Sequence, residues 1–183
     1  MPVENTRVRF ERAVLPHLNS AYNLSRWLTA SDADAEDVTQ EAYLRALKFF
    51  ETHRGTDTRA WLLAIVRNTC RTWLEKNRSR RVVGLPESND SVAADESANP
   101  ESLAIRRDER KLIRQAIEHL PVEYREMIVL RELEELSYKE IAGIADIPLG
   151  TVMSRLSRAR EQLEQSLALR VGIEPTEKRE SKT

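Results

Sequence analysis

Three groups of residues carry side chains whose types and spacing could do chemistry. In the stretch RAWLLAIVRNTCRTWLEKNRSRR, Arg67, Arg71 and Arg78 recur at helical spacing on the side away from the apolar face, with Trp61, Asn68 and Thr72 along one edge of that basic stripe. Arginine neutralises phosphates, an amide reads a base edge and an aromatic ring stacks on a base, so this set suits a nucleic-acid strand. A second arc holds Thr151, Ser154, Arg155, Arg158 and Gln162, opposite an apolar stripe of the same segment. The third group is acidic: Asp37, Gln40 and Glu41 flank Leu44, an apolar residue among charges. That face suits docking on a basic protein surface, or is simply solvated.

Catalysis finds little support. Asp32, Asp34, Asp37 and Glu41 would have to converge to hold a metal for a nuclease, yet they begin a helix where capping and the helix dipole explain them. His17, His53 and His119 lie too far apart in the chain for a local ligand pattern, and the single Cys70 cannot form an internal disulfide and reads as a buried small hydrophobe. No enzymatic activity, metal, cofactor or small-molecule substrate is expected.

The elements that position these groups are expected to be helices. Five Gly, seven Pro and 5% aromatic residues among 183 argue against a β-sandwich or barrel, which leaves an all-α chain. Net charge is −1 although 32% of residues are charged, and the charge is segregated. Positions 31–41 hold five acids and no base, 59–81 seven bases against one acid, and 83–104 five acids and no base. No apolar run approaches the ~20 residues that span a bilayer and the N-terminus lacks the apolar stretch of a signal peptide, so a cytoplasmic protein is expected.

The stretch GLPESNDSVAADESANP divides the chain. It predicts an N-terminal unit over 1–82, an acidic flexible linker over 83–98, a C-terminal unit over 99–170 and a polar tail over 171–183. Periodicity predicts N-terminal helices over about 6–29, 33–50 and 58–79. Asp32 or Asp34 is expected to cap the second, with Ala35, Val38, Ala42, Ala46 and Phe49 inward and Tyr43 and Phe50 extending that side. The third is expected to bury Leu62, Ile65, Val66, Thr69 and Trp73, widened by Leu63, Cys70 and Leu74.

In the C-terminal unit one helix is expected from Pro100 to about His119, and another from Pro121 to Leu136 with Tyr124, Met127, Ile128, Leu130 and Leu133 apolar. Ser137 and Glu140 form a capping box for a short helix that Asp146-Ile147-Pro148 breaks. The last helix carries the stripe Leu149, Val152, Leu156, Ala159, Leu163, Leu167. A short helix, a tight turn and a longer helix with a hydroxyl- and Arg-rich first turns make a helix-turn-helix, with Ala142 small where the two must cross. Two DNA-contacting units on one linker gain affinity through effective concentration.

Three stretches, DAEDVTQEAYLRALKFF, RAWLLAIVRNTCRTWLEKNR and LPVEYREMIVLRELEELSYKEIAGIADIPLGTVMSRLSRAREQL, resemble the extracytoplasmic-function sigma factors, the small two-domain sigma subunits of bacterial RNA polymerase. The resemblance covers about 34–78 and 120–163. It implies core RNA polymerase and promoter DNA as partners, with the N-terminal unit opening the minus-ten element and the C-terminal unit reading the minus-thirty-five element. Asp37, Gln40, Glu41 and Leu44 fall where the family docks on the polymerase clamp. Asn68 falls where it captures a flipped base, with Trp61, Arg67 and Arg71 on the same surface, and flipping must be offset by hydrogen bonds and stacking. Ser154, Arg155, Ser157 and Arg158 fall at its major-groove and phosphate positions, beside Thr151. Met153 stands where Lys or Arg is usual, and Gly143 where Glu is frequent. The resemblance further implies an anti-sigma factor, often membrane-anchored, which would hold a cytoplasmic protein at the membrane. The alternative is a sigma mimic that sequesters an anti-sigma factor without touching DNA; the arginines at 67, 71, 155 and 158 weigh against it.

Overall fold

A computed structural model describes residues 5–55, 57–77 and 100–171, the last with side chains over 107–170. All regular elements among the described residues are helical. The expected linker, Arg78 and the tail beyond 171 lie outside the described residues.

The first expected helix is divided. Asn5 opens α1 (Thr6–Val14) by accepting from the Arg7 N–H, but Pro16 brings no N–H of its own, and the chain tightens into a 3-10 turn at Leu15–His17 before α2 (Leu18–Thr29). Ala30, at φ 58°, ends α2 in the left-handed region. Ser31, rather than Asp32 or Asp34, caps α3 (Asp32–Phe49): its hydroxyl accepts from the Asp34 N–H, while Asp32 pairs with Arg26. Ala35, Val38, Ala42 and Ala46 are buried as expected, but Phe49 is 49% exposed. The helix stops there, and a 3-10 turn at Phe50–Thr52 brings Phe50 inward as expected, edge-on to Phe10 at 5.3 Å. Phe10 meets Tyr43 in the same way at 4.9 Å. Asp57 caps α4 (Thr58–Lys76), which buries Leu62, Leu63, Val66, Thr69 and Cys70 and leaves Ile65 and Trp73 half-buried, a face rotated slightly from the expected one.

The second set comprises α5 (Pro100–Glu118), α6 (Val122–Ile128), α7 (Tyr138–Ala145) and α8 (Leu149–Val171). The helix after Pro121 does not reach Leu136: it widens into a π-helical turn at Val129–Leu133, where the Glu134 N–H donates to the Val129 carbonyl, and Glu135 then takes φ 55°. Both halves of the Ser137–Glu140 capping box are formed. Asp146, at φ 51°, turns the chain between α7 and α8 and completes the helix-turn-helix. Val152, Leu156 and Ala159 carry the buried stripe of α8. Leu149, expected on that stripe, is 49% exposed because it is the first residue of α8 and nothing among the described residues covers it.

Helices α2, α3 and α4 pack on one another, and α8 packs on α5, α6 and α7. The two sets also meet, α4 against α7 and α2 against α6, so their buried side chains form one continuous core.

Candidate polymerase and nucleic-acid interfaces

Because α3 turns its alanines and Val38 inward, Asp37, Gln40, Glu41 and Leu44 are all exposed, Leu44 to 58%. Glu41 pairs with Arg45 one turn on, whereas Asp37 faces solvent. Exposed Leu47 continues the apolar part of this face toward the helix end. The acids of α3 do not converge, since Asp32 turns to Arg26 and Glu41 to Arg45, and among the described residues no group of three or more His, Cys, Asp or Glu is placed to hold a metal.

On α4 the expected surface is only partly open. Asn68 and Arg71 are exposed. Trp61 is half-buried and stacks on His53, centroids 4.4 Å apart and planes 18° from parallel, with Phe50 beyond at 6.3 Å. Arg67 departs from the expected solvent-facing stripe: its side chain is 6% exposed, its Nε donates to Glu126 Oε1 at 2.5 Å and its Nη1 to Asn68 Oδ1 at 3.3 Å. It does point away from the α1–α4 core, but the second set of helices packs on that side. Cys70 lies at zero exposure, and burial pushes its thiol up to about 12, which leaves no thiolate for chemistry near neutral pH.

On α8, Ser154, Ser157 and Arg158 are exposed and Thr151 and Arg155 half-buried, one continuous arc at the helix start. Neither arginine enters an ion pair among the described residues. Met153 is 53% exposed, so an uncharged thioether stands on the surface beside them. Gly143 is exposed with nothing within 4 Å of an added Cβ, so the glycine answers no steric need. Arg160 ties α8 to the π-helical turn through Glu132 at 2.7 Å, and hydrogen bonds to Glu132 and then Tyr138 raise its pKa.

Sequence reasoning passed over the charged residues between the two sets. Glu126 and Glu134 are buried, as is Arg125, whose guanidinium donates to the carbonyls of Trp27 and Leu120, both at 3.0 Å. Glu134 receives Arg59 at 2.7 Å and Asn23 at 2.7 Å. The signal was present: Arg125 and Glu126 interrupt the otherwise apolar run from Tyr124 to Leu130, where a charge must find a partner or be exposed. No helix among the described residues is long and apolar enough to cross a membrane.

Two family models match, sigma-70 region 2 over residues 13–80 and sigma-70 region 4 over residues 110–163. The chain is 36% identical over 156 residues to the ECF RNA polymerase sigma-E factor of Escherichia coli, covering 79% of this chain and 78% of that one. It is 35% identical over 161 residues to the ECF RNA polymerase sigma factor SigE of Mycolicibacterium smegmatis, covering 87% of this chain but 62% of the relative's length. Among solved structures, the sigma factor RpoE of Bartonella quintana, in complex with the anti-sigma factor NepR, superposes with a TM-score of 0.71 at 25% identity, covering 88% of this chain and 98% of that one. CnrH, in complex with the cytosolic domain of CnrY, shares the fold at a TM-score of 0.62 and 23% identity, covering 91% of each chain.

Proposed function

The chain belongs to the extracytoplasmic-function sigma factors of RNA polymerase, and we propose how its surfaces divide the work of promoter-specific initiation. Residues 1–82 dock on core polymerase and open the minus-ten element; residues 99–170 read the minus-thirty-five element; residues 83–98 tether the two. Asp37, Gln40, Glu41 and Leu44 form the polymerase contact, an acidic rim around an apolar centre that fits a basic helical surface. Asn68 offers its amide to a flipped base, Arg67 and Arg71 take neighbouring phosphates, and Trp61, backed by His53, presents a ring edge near the end of the strand. Thr151, Ser154, Arg155, Ser157 and Arg158 enter the major groove with the start of α8. The chain does this work by binding and positioning, with no covalent step of its own.

The observation that carries this reading is the free arc on α8, two arginines with three hydroxyls at the start of the second helix of a helix-turn-helix. A mimic that only sequesters an anti-sigma factor has no need of that display. An anti-sigma factor that engages both units is a further partner on this reading, in line with the anti-sigma complex of the Bartonella quintana relative.

The polymerase contact is tested by Asp37→Lys with Glu41→Lys. Like charges across an interface cost several kcal/mol, so affinity for core polymerase should fall at least ~100-fold in a competition assay. Binding of the isolated chain to promoter DNA should be unaffected. Unchanged affinity for core would remove α3 from the interface.

A further inference from the structure

The outward arc of α8 has three rows. At about 100° per residue, Ser154 and Arg158 run down its middle, Thr151 and Arg155 lie on one flank, and Met153 and Ser157 lie on the other. The two flanks differ in charge. Arg155 offers a cation on the first, whereas on the second Arg160 is engaged by Glu132 at 2.7 Å and Glu164 follows one turn on. The Met153 flank therefore repels phosphates rather than gripping them.

Met153 is the fifth residue of α8, and a helical side chain leans back toward the N-terminus, so its thioether lies over the first turn. Leu149 stands four residues earlier on the same flank, 49% exposed beside the 53% of Met153. The pair makes an apolar spot at the end of α8 that a helix-turn-helix carries to the base edges. On its other side Met153 borders an open cavity of about 400 Å³ shared with Tyr138 and Ser157, which leaves its unbranched side chain room to turn onto a partner.

Few groups on DNA suit such a spot. A thioether is a weak acceptor and no donor, so it neither neutralises a phosphate nor matches the hydrogen-bonding pattern of a base. The major groove displays one apolar group that differs between bases, the C5-methyl of thymine. Covering that methyl removes apolar surface of both partners from water. Cytosine would set its N4 amine against the same surface with no acceptor fit to replace water.

We infer that Met153, with Leu149 beside it, is a specificity-determining contact for one thymine of the minus-thirty-five element, selected through its C5-methyl group. The inference rests on the reading of α8 as the minus-thirty-five helix. A chain with Arg or Lys at this position would favour guanine or a phosphate instead.

The test uses the full chain assembled with core polymerase. The probe is a promoter duplex that this holoenzyme selects from a library randomised across the minus-thirty-five element. Each thymine on either strand is replaced in turn by deoxyuridine, which removes only the methyl. One replacement should weaken wild-type binding about fourfold, the effect of leaving one buried methyl-sized group in water. Met153→Ala should bind thymine and deoxyuridine at that position alike, and Met153→Leu should keep the difference. Met153→Arg, put through the same selection, should exchange thymine for guanine there. Circular dichroism should be unchanged in all three, since the side chain is exposed. Arg158→Ala serves as the comparison: it should lose preference at its own positions and retain the difference between thymine and deoxyuridine. An element in which no deoxyuridine weakens binding, or one whose effect persists in Met153→Ala, overturns the inference while the loss in Arg158→Ala still marks α8 as the reading helix. A Met153→Ala variant that loses affinity for core polymerase and no base preference assigns the residue to a protein contact and overturns it as well. Selection of no minus-thirty-five element by the wild type, with Arg158→Ala equally indifferent, removes the reading of α8 and the inference together.

Discussion

In the proposed division of work, strand capture turns on Asn68. Asn68→Ala should leave closed-complex formation nearly intact while lowering open-complex formation and relaxing the minus-ten preference, because only the flipped base loses its hydrogen bonds. Permanganate footprints that show normal melting on every promoter variant would reduce Asn68 to a helix-edge residue. On α8, Arg158 is exposed and Arg155 half-buried, which suits the first to base readout and the second to phosphate. Arg158→Ala should flatten preference at one or two minus-thirty-five positions, at a cost of about 1–3 kcal/mol in discrimination. Arg155→Ala should weaken binding to all sequences alike and reduce the salt slope by about one counterion. The reverse pattern exchanges the roles. Which side chains share an exposed arc was legible in the sequence here, because helical spacing fixes it. Arg67 was not: its angle on α4 is set by local periodicity, but its burial depends on Glu126, 59 positions away in the chain.

Helix α7 shows how far local signals carry an element. Ser137 and Glu140 were readable as a capping box from their spacing alone, and the structure forms both reciprocal bonds, at 3.3 Å and 2.7 Å. Ser137→Ala should cost about 1 kcal/mol of stability, measured by thermal or chemical denaturation. Hydrogen bonds from Ser137, its side chain foremost, lower the Glu140 pKa below its ordinary 4.5. A lowered carboxyl pKa contributes stability that is present above the unfolded value and is lost as pH falls through the folded one. The stability advantage of wild type over Glu140→Gln should therefore be constant near neutrality and shrink on acidification below about 4.5, and an advantage that grows with acid would contradict the box. Boundaries set by long-range packing were less legible. The Phe49 assignment failed, while that of Phe50 held, because periodicity continues past the point where the aromatic cluster on Phe10 pulls the chain into a 3-10 turn. Pro16 broke the first helix where the apolar pattern runs straight through.

Across the whole molecule, the two-part organisation was legible from composition, since a stretch poor in large apolar residues and rich in acids separates two helical patterns. The packing of one part on the other was not, because beside the shared core it uses charged residues that look solvated in any single helix and acquire partners only when the two sets meet. Arg59, Arg67, Arg125, Glu126 and Glu134 are among the residues concerned. Whether the chain directs initiation is settled by adding purified protein to core RNA polymerase, transcribing genomic DNA from its own source and mapping the start sites. Starts should concentrate at a small set of promoters that share one minus-ten and one minus-thirty-five sequence at fixed spacing, and should vanish when Asp37 and Glu41 are both replaced by Lys. Starts no different from those of core polymerase alone would contradict the assignment, and would leave the α8 arc without the DNA proposed for it.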